Sequence, residues 1–378
     1  MADNTKIEWA DATWNPITGC SVTSPGCTNC YAMKLAGTRL AHHPSRKGLT
    51  TDTKAGPVWT GEVRLNEEWL TQPLKWRRPR RIFVCAHGDL FHESVPDEWI
   101  DRVFAVMALA PQHTFQVLTK RSARMQAYCH ARNSGGTSAI VAANALDNAN
   151  WLSRKLAVKS EPQFQNIWPL PNVWLGVSVE DQARADERIR KLAHWRDGTP
   201  AAVRFLSCEP LLGPVIICAH CARGHHPIMD SRKDPRSKYH AGVGGFGDPC
   251  GFNGLDWIIV GGESGPGARP MHPDWARSLR DQCHAAGVPF FFKQWGEWGP
   301  DTGPLDDCYP NSTIRRDPIM EGAARCAVLV DGAWKHFESG YGPPIELCSG
   351  HGEFVYRLGK RRNGRLLDGR EWNEVPHG

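Results

Sequence analysis

No stretch of this 378-residue sequence reaches the roughly 18 consecutive apolar residues that a helix needs to cross a bilayer. The first residues, Met1-Ala2-Asp3-Asn4-Thr5-Lys6, lack the apolar core of a secretory signal. Both absences predict a cytoplasmic protein with no membrane partner. Neither sign of charge dominates: 45 Lys and Arg face 40 Asp and Glu, a net +5. There is no internal repeat beyond an alternation of strands and helices. The 41% hydrophobic and 22% charged content is that of a folded globular chain, not a disordered one. What the sequence does hold is thirteen cysteines. In a reducing compartment that odd number speaks against a disulfide framework and for metal ligation or reactive thiols.

Three of these cysteines lie close together. Trp14-Asn15-Pro16 leads to Cys20, six residues separate it from Cys27, and Cys30 and Tyr31 follow, giving C-x6-C-x2-C. A structural zinc site takes four protein ligands, and an all-cysteine iron–sulfur cluster usually does too. Three thiolates with no local fourth suit a cluster with one iron left open for a substrate or cofactor.

Seven apolar runs recur along the chain: Ala12–Gly19, Arg81–His87, His113–Lys120, Asn172–Glu180, Ala202–Pro210, Asp256–Ser264 and Val288–Trp295. Continuous β-branched and aromatic runs are expected of strands buried on both faces of a parallel sheet. Helical patterns lie between them over Tyr31–Leu40, Pro96–Met107, Asp181–Ala193 and Pro273–Ala286. Strand–helix alternation predicts an α/β fold. None of these units carries a Gly-rich dinucleotide turn, which favours a TIM-barrel-like arrangement over a Rossmann sheet. The expected organisation is a barrel over residues 1–297, interrupted by insertions at about 131–170 and 217–254. An irregular, Gly- and Pro-rich extension follows over 298–378.

Each predicted strand finishes in chargeable or polar residues: His87 with Asp89 and His92, then Lys120 with Arg121, Ser178 with Glu180, Glu209, Gly261-Gly262-Glu263, and Lys293. In βα barrels the active site is built at the C-terminal ends of the strands. The cysteine loop follows the first strand and belongs at the same mouth. Singly, each residue reads as a helix cap or turn; together they mark a pocket. Gly261-Gly262 would let a ligand approach the backbone closely.

These motifs carry a resemblance. The Trp-Asn-Pro and three-cysteine segment, Asp89-Leu90-Phe91-His92, Leu118-Thr119-Lys120-Arg121, Trp174 to Glu180, Leu206 to Pro210 and Gly261 to Gly265 resemble a phage-encoded three-cysteine-motif family of uncharacterised function. The likeness runs from about residue 6 to 297 and returns over Arg365 to Trp372. That family is similar to a divergent branch of the radical S-adenosylmethionine (SAM) enzymes, which implies a partial (βα)6-type barrel. It further implies that Cys20, Cys27 and Cys30 hold a [4Fe–4S] cluster whose open iron binds SAM. One electron, from a donor such as flavodoxin or ferredoxin, would cleave SAM to a 5′-deoxyadenosyl radical. In that scheme Ser178 and Glu180 meet the ribose, and Asp89 the methionine amine. Gly261, Gly262 and Glu263 belong to the cofactor site, and Lys120, Glu209 and Lys293 orient substrate or handle protons. Cys208 reads as a buried structural thiol rather than a hydrogen-atom donor. Two departures stand out. The usual first gap is three residues, not six, and the Gly-Gly-Glu signature follows the sixth strand rather than the second.

The 217–254 insertion offers a second metal site, zinc on Cys218, Cys221, His225 and Cys250. Basic runs at Lys75–Arg81 and Lys360–Arg365, with sixteen tryptophans, suit a nucleobase or nucleic-acid substrate. A rival reading is a zinc-dependent, nonradical nucleic-acid-binding protein in which the three cysteines and His87 close a zinc site. A barrel hydrolase using Glu209 and Lys120 ranks last, because it leaves the cysteines unexplained.

Overall fold

Each of the seven apolar runs contains a strand: β1 Ala12–Trp14, β2 Arg81–Val84, β3 Thr114–Thr119, β4 Val173–Ser178, β5 Val203–Cys208, β6 Trp257–Gly261 and β7 Phe290–Gln294. The computed structural model describes residues 5, 7–133, 168–193, 199–217, 254–300, 325–338 and 354–376. The strands pair in chain order, every pair parallel, in one sheet curled into a half-barrel and flanked by helices. The fold is therefore α/β, with a strand in each of the seven runs expected, one more than the (βα)6-type barrel that the resemblance implied. The additional strand follows from β1, whose three residues pair with β2 through Ala12–Ile82, Thr13–Phe83 and Trp14–Val84. The longer helices among the described residues are α1 Tyr31–Gly37, α2 Asp97–Ala108, α3 Ser122–Asn133, α4 Gln182–Ala193 and α5 Pro273–Ala286. The first stops three residues short of its predicted end. Most of the two expected insertions lies outside the described residues, as do Cys218, Cys221, His225 and Cys250.

Period-two alternation divides the strands between two cores. Residues such as Ile82, Val117, Leu175, Cys208, Val260 and Phe292 belong to the larger core, which the helices share. The opposite face forms the lumen. There Trp174, Val203, Phe205, Trp257, Ile259 and Phe291 cluster around Trp9, from the segment before β1. Trp9 meets Phe83 and Trp257 edge-on, at centroid distances of 4.8 and 6.2 Å. Gly176 is required beneath Phe205, because a Cβ there would lie 2.5 Å from the ring. Aromatic filling stops one row further along, where Ser178 pairs in register with Ser207. Two residues beyond, on the same face, come Glu180 and Glu209. The lumen is thus plugged at its lower levels and polar at its C-terminal mouth.

The extension begins with a four-stranded antiparallel sheet, β8 Trp298–Pro300, β9 Arg325–Val330, β10 Ala333–Glu338 and β11 Phe354–Arg357, in the order β8-β11-β9-β10. The end of the chain then returns to the barrel. Phe292 donates its N–H to the Trp372 carbonyl (2.9 Å), Phe291 bridges antiparallel to Asn373, and the Trp257 indole donates to the Glu374 carbonyl (2.8 Å). The tail therefore covers the edge of β7 that would otherwise expose unpaired backbone groups.

Candidate functional site

The three-cysteine loop lies across the mouth, and groups from four strand ends fasten it there, a backbone carbonyl at the first and side chains at the other three. At the end of β2, Ala86 accepts a hydrogen bond from the Tyr31 hydroxyl (2.7 Å). After β3, Arg121 reaches the loop's first residues. Its guanidinium donates to the Cys20 sulfur (3.3 Å), to the Ser21 carbonyl (3.0 Å) and to Ser21 Oγ (2.7 Å). After β4, Glu180 Oε1 accepts from the Gly26 N–H (3.2 Å). A Cβ on Gly26 would lie 3.1 Å from that carboxylate and 3.4 Å from Lys120 Nζ, so the loop rests directly on both. After β6, Glu263 Oε2 accepts from Asn29 (2.9 Å), and Arg269 donates to the Pro25 carbonyl (3.0 Å).

Each of these carboxylates is compensated. Asp89 is buried and accepts on one oxygen from Thr119 Oγ1 (2.7 Å) and the Phe91 N–H (3.0 Å). Its other oxygen accepts from the Lys120 N–H and from Arg121, both at 3.2 Å. Glu180 takes Arg188 at 3.0 Å and lies 3.8 Å from Lys120 Nζ. Burial would raise its pKa, but Lys120, the Ser24 hydroxyl, Arg188 and the Gly26 N–H outweigh it, and the group is held below the usual carboxylate range. Glu263 behaves alike: burial opposes ionisation, while Arg269 and Asn29 hold the charge and bring the pKa down. Glu209 accepts twice from Lys293 Nζ, at 2.8 and 2.9 Å, and from Gln294 at 3.2 Å.

Several of the site residues expected from sequence thereby take a different place. Both oxygens of Asp89 are engaged in shaping the Thr119-Lys120-Arg121 turn, which leaves no lone pair directed at a methionine amine. Glu180 and Glu263 bind the cysteine loop rather than facing open space. The space above Gly262 is filled by the chain's own Trp295 carbonyl, so this glycine serves the approach of two strand ends and not of a ligand. Cys208 faces the helix-side core and is fully buried. Lys120 lies beside Glu180 and Lys293 beside Glu209, with the two lysine side chains 17% and 13% exposed, and Ser178 is buried one row below Glu180 on the same strand face.

A model of the family described as Protein of unknown function (DUF5131) matches residues 4–376. The chain belongs to this family. No curated protein and no solved structure matches it. The match spans the half-barrel and the extension alike, so DUF5131 includes the tail that covers β7.

Within this DUF5131 chain the three thiols share one electrostatic neighbourhood. Burial, and after it Asp89, push the Cys20 thiol up to about 12; Arg121 opposes this, while Cys27 and Cys30 add to it. Among the described residues no group of three or more His, Cys, Asp and Glu side chains is gathered so as to hold a metal ion. Cys20, Cys27 and Cys30 lie in one loop at this end of the half-barrel, and the Cys20 sulfur accepts an N–H from Arg121. His87, the fourth ligand of the zinc alternative, is already engaged: its Nδ1 lies 2.9 Å from an Arg46 nitrogen.

Sequence reasoning passed over Asn29, Arg188, Arg269 and Arg46. Only Arg188 carried a local signal. It stands on the buried stripe Ala185-Arg188-Leu192 of α4, where an unpaired arginine would be costly and so requires a partner.

Proposed function

We propose that this chain is a divergent radical SAM enzyme that acts on a nucleobase or nucleic acid. The observation that carries the reading is the cysteine loop held over the polar C-terminal mouth of a parallel half-barrel by the ends of β2, β3, β4 and β6. Cys20, Cys27 and Cys30 are the residues that would hold a [4Fe–4S] cluster. Such a cluster, when bound, supplies the electron that cleaves SAM.

The chain's own residues then have definite tasks. Arg121, Glu180 and Arg269 keep the long first gap of the motif in one shape, and Glu263 holds Asn29 in the second gap, so that a C-x6-C spacing can present its thiols as a shorter loop would. Ser178 and Ser207 offer hydroxyls at the floor of the mouth. Lys120 and the Glu209–Lys293 pair are the groups placed to orient a polar substrate and to move protons. Of the two basic runs, Lys75–Arg81 leads into the N-terminal end of β2, away from the mouth. Lys360–Arg365 sits beside the end of β7, where Gly359 donates to the Glu297 carbonyl (3.1 Å) and Asn363 to that of Gly296 (3.0 Å). The second run is therefore the one that supports a phosphate-bearing substrate at this site.

The experiment is anaerobic reconstitution with iron and sulfide, then SAM with dithionite. Release of 5′-deoxyadenosine by the wild type, lost in Cys27→Ala, is the expected outcome. Stoichiometric zinc without iron after anaerobic purification would favour the nonradical zinc protein instead.

A further inference from the structure

Arg46 differs from the other cations around the mouth. Arg121 has Asp89, Arg188 has Glu180, Arg269 has Glu263 and Lys293 has Glu209. Arg46 is 4% exposed, and no carboxylate among the described residues pairs with it. Its Nη1 donates to Ser45 Oγ (2.6 Å), its guanidinium lies 5.8 Å from the Trp69 ring centroid, and its buried Nε has no acceptor.

The remaining bond sets the state of a second residue. Arg46 Nη2 lies 2.9 Å from His87 Nδ1. A guanidinium has only donors, so Nδ1 must accept, and the ring proton of a neutral His87 must sit on Nε2. Burial, and after it the Arg46 charge, lower the His87 pKa to about 4 and keep the ring neutral. Nε2–H has no partner among the described residues. The ring stands at the end of β2, perpendicular to Tyr31 with centroids 5.9 Å apart. Tyr31 follows the third cysteine directly, and its ring is exposed at the mouth.

We propose that His87 is a ligand-binding residue, a fixed neutral donor whose Nε2–H receives an anionic oxygen of the molecule bound at the mouth, and that Arg46 is the positioning residue that locks its tautomer. The uncompensated charge of Arg46 favours the same anion through the imidazole, which it polarises. The oxygen is a carboxylate if SAM supplies it and a phosphoryl oxygen if the substrate does. The inference rests on reading the mouth as the ligand site and is independent of the cluster's redox chemistry.

The test combines histidine-selective ¹⁵N NMR with equilibrium binding on the full chain. The His87 signals are assigned by their loss in His87→Gln. The expected result is a neutral Nε2–H tautomer in the wild type that is lost in Arg46→Met. The Nε2 resonance should move on addition of SAM or of inorganic phosphate, and the probe that moves it names the source of the oxygen. His87→Phe should weaken binding of that probe about ten- to a hundredfold, the worth of one hydrogen bond to a charged group, while His87→Gln, which retains a donor, should keep most of it. An Nδ1–H tautomer, an imidazolium at neutral pH, or unchanged binding by His87→Phe would overturn the inference. So would a wild type that binds neither probe. Iron content separates the failures: a chain that loads iron and binds SAM equally well with Phe at position 87 refutes the role of His87 alone. A chain that takes up no iron refutes the enzyme reading.

Discussion

At the residue scale, the mouth is a set of buried charges that hold one another, and each pair has a measurable consequence. Breaking a buried pair from one side strands the remaining charge and costs about 3–5 kcal/mol. Arg188→Met should lower unfolding stability by that order, because Glu180 would be left with Lys120 at 3.8 Å as its cation. Adding Glu180→Gln should recover part of the loss, since the uncompensated charge is then gone; urea unfolding of the single and double variants measures both. Gly262→Ala forces a methyl into the Trp295 carbonyl and should cost about 1–3 kcal/mol in the same assay. Sequence alone made these positions visible but not their tasks. Asp89, Glu180 and Glu263 stood out as charges at strand ends. Their partners Arg121, Arg188 and Arg269 lie 32, 8 and 6 residues further on, and only the fold shows that each pairing is made inside the chain rather than with a ligand.

At the scale of elements, the cysteine loop depends on ionised carboxylates. Glu180 and Glu263 both have folded-state pKa values depressed below the usual glutamate range. The stability they confer is complete above the unfolded-state pKa and is lost as pH falls through the folded values. Wild-type stability should therefore drop between pH 6 and pH 3 more steeply than that of Glu180→Gln and Glu263→Gln, which have already lost those titrations; denaturation midpoints across that range test it. All seven parallel strands were legible because each is a continuous apolar run, and α1, α2, α4 and α5 were legible from their sequence patterns; α3 was not among the helices expected. Two docking events were not. Trp9 enters the lumen and Trp372 meets the edge of β7, and a lone tryptophan in a loop carries no periodicity to announce either contact. Trp372 is 7% exposed, and its loss should cost about 3–5 kcal/mol in Trp372→Ala. Aggregation followed by light scattering should rise as well, because the covered edge of β7 is loosened.

At the scale of the whole molecule, an aromatic plug fills one level of the half-barrel and a polar, charge-paired mouth forms the other, and the three-cysteine loop lies over that mouth. The six-residue first gap was the main departure from the radical SAM pattern. Its residues are those that Arg121, Glu180 and Arg269 pin to the strand ends, so the longer loop is supported from the barrel side. The measurement that bears most directly on the account is iron and sulfide content after anaerobic reconstitution, with the visible absorbance recorded for wild type and for Cys20→Ala, Cys27→Ala and Cys30→Ala. The account predicts about four irons and four sulfides per wild-type chain, with cluster absorbance lost in each single variant. A wild type that binds no iron, or that binds one zinc through the same three cysteines, would contradict it.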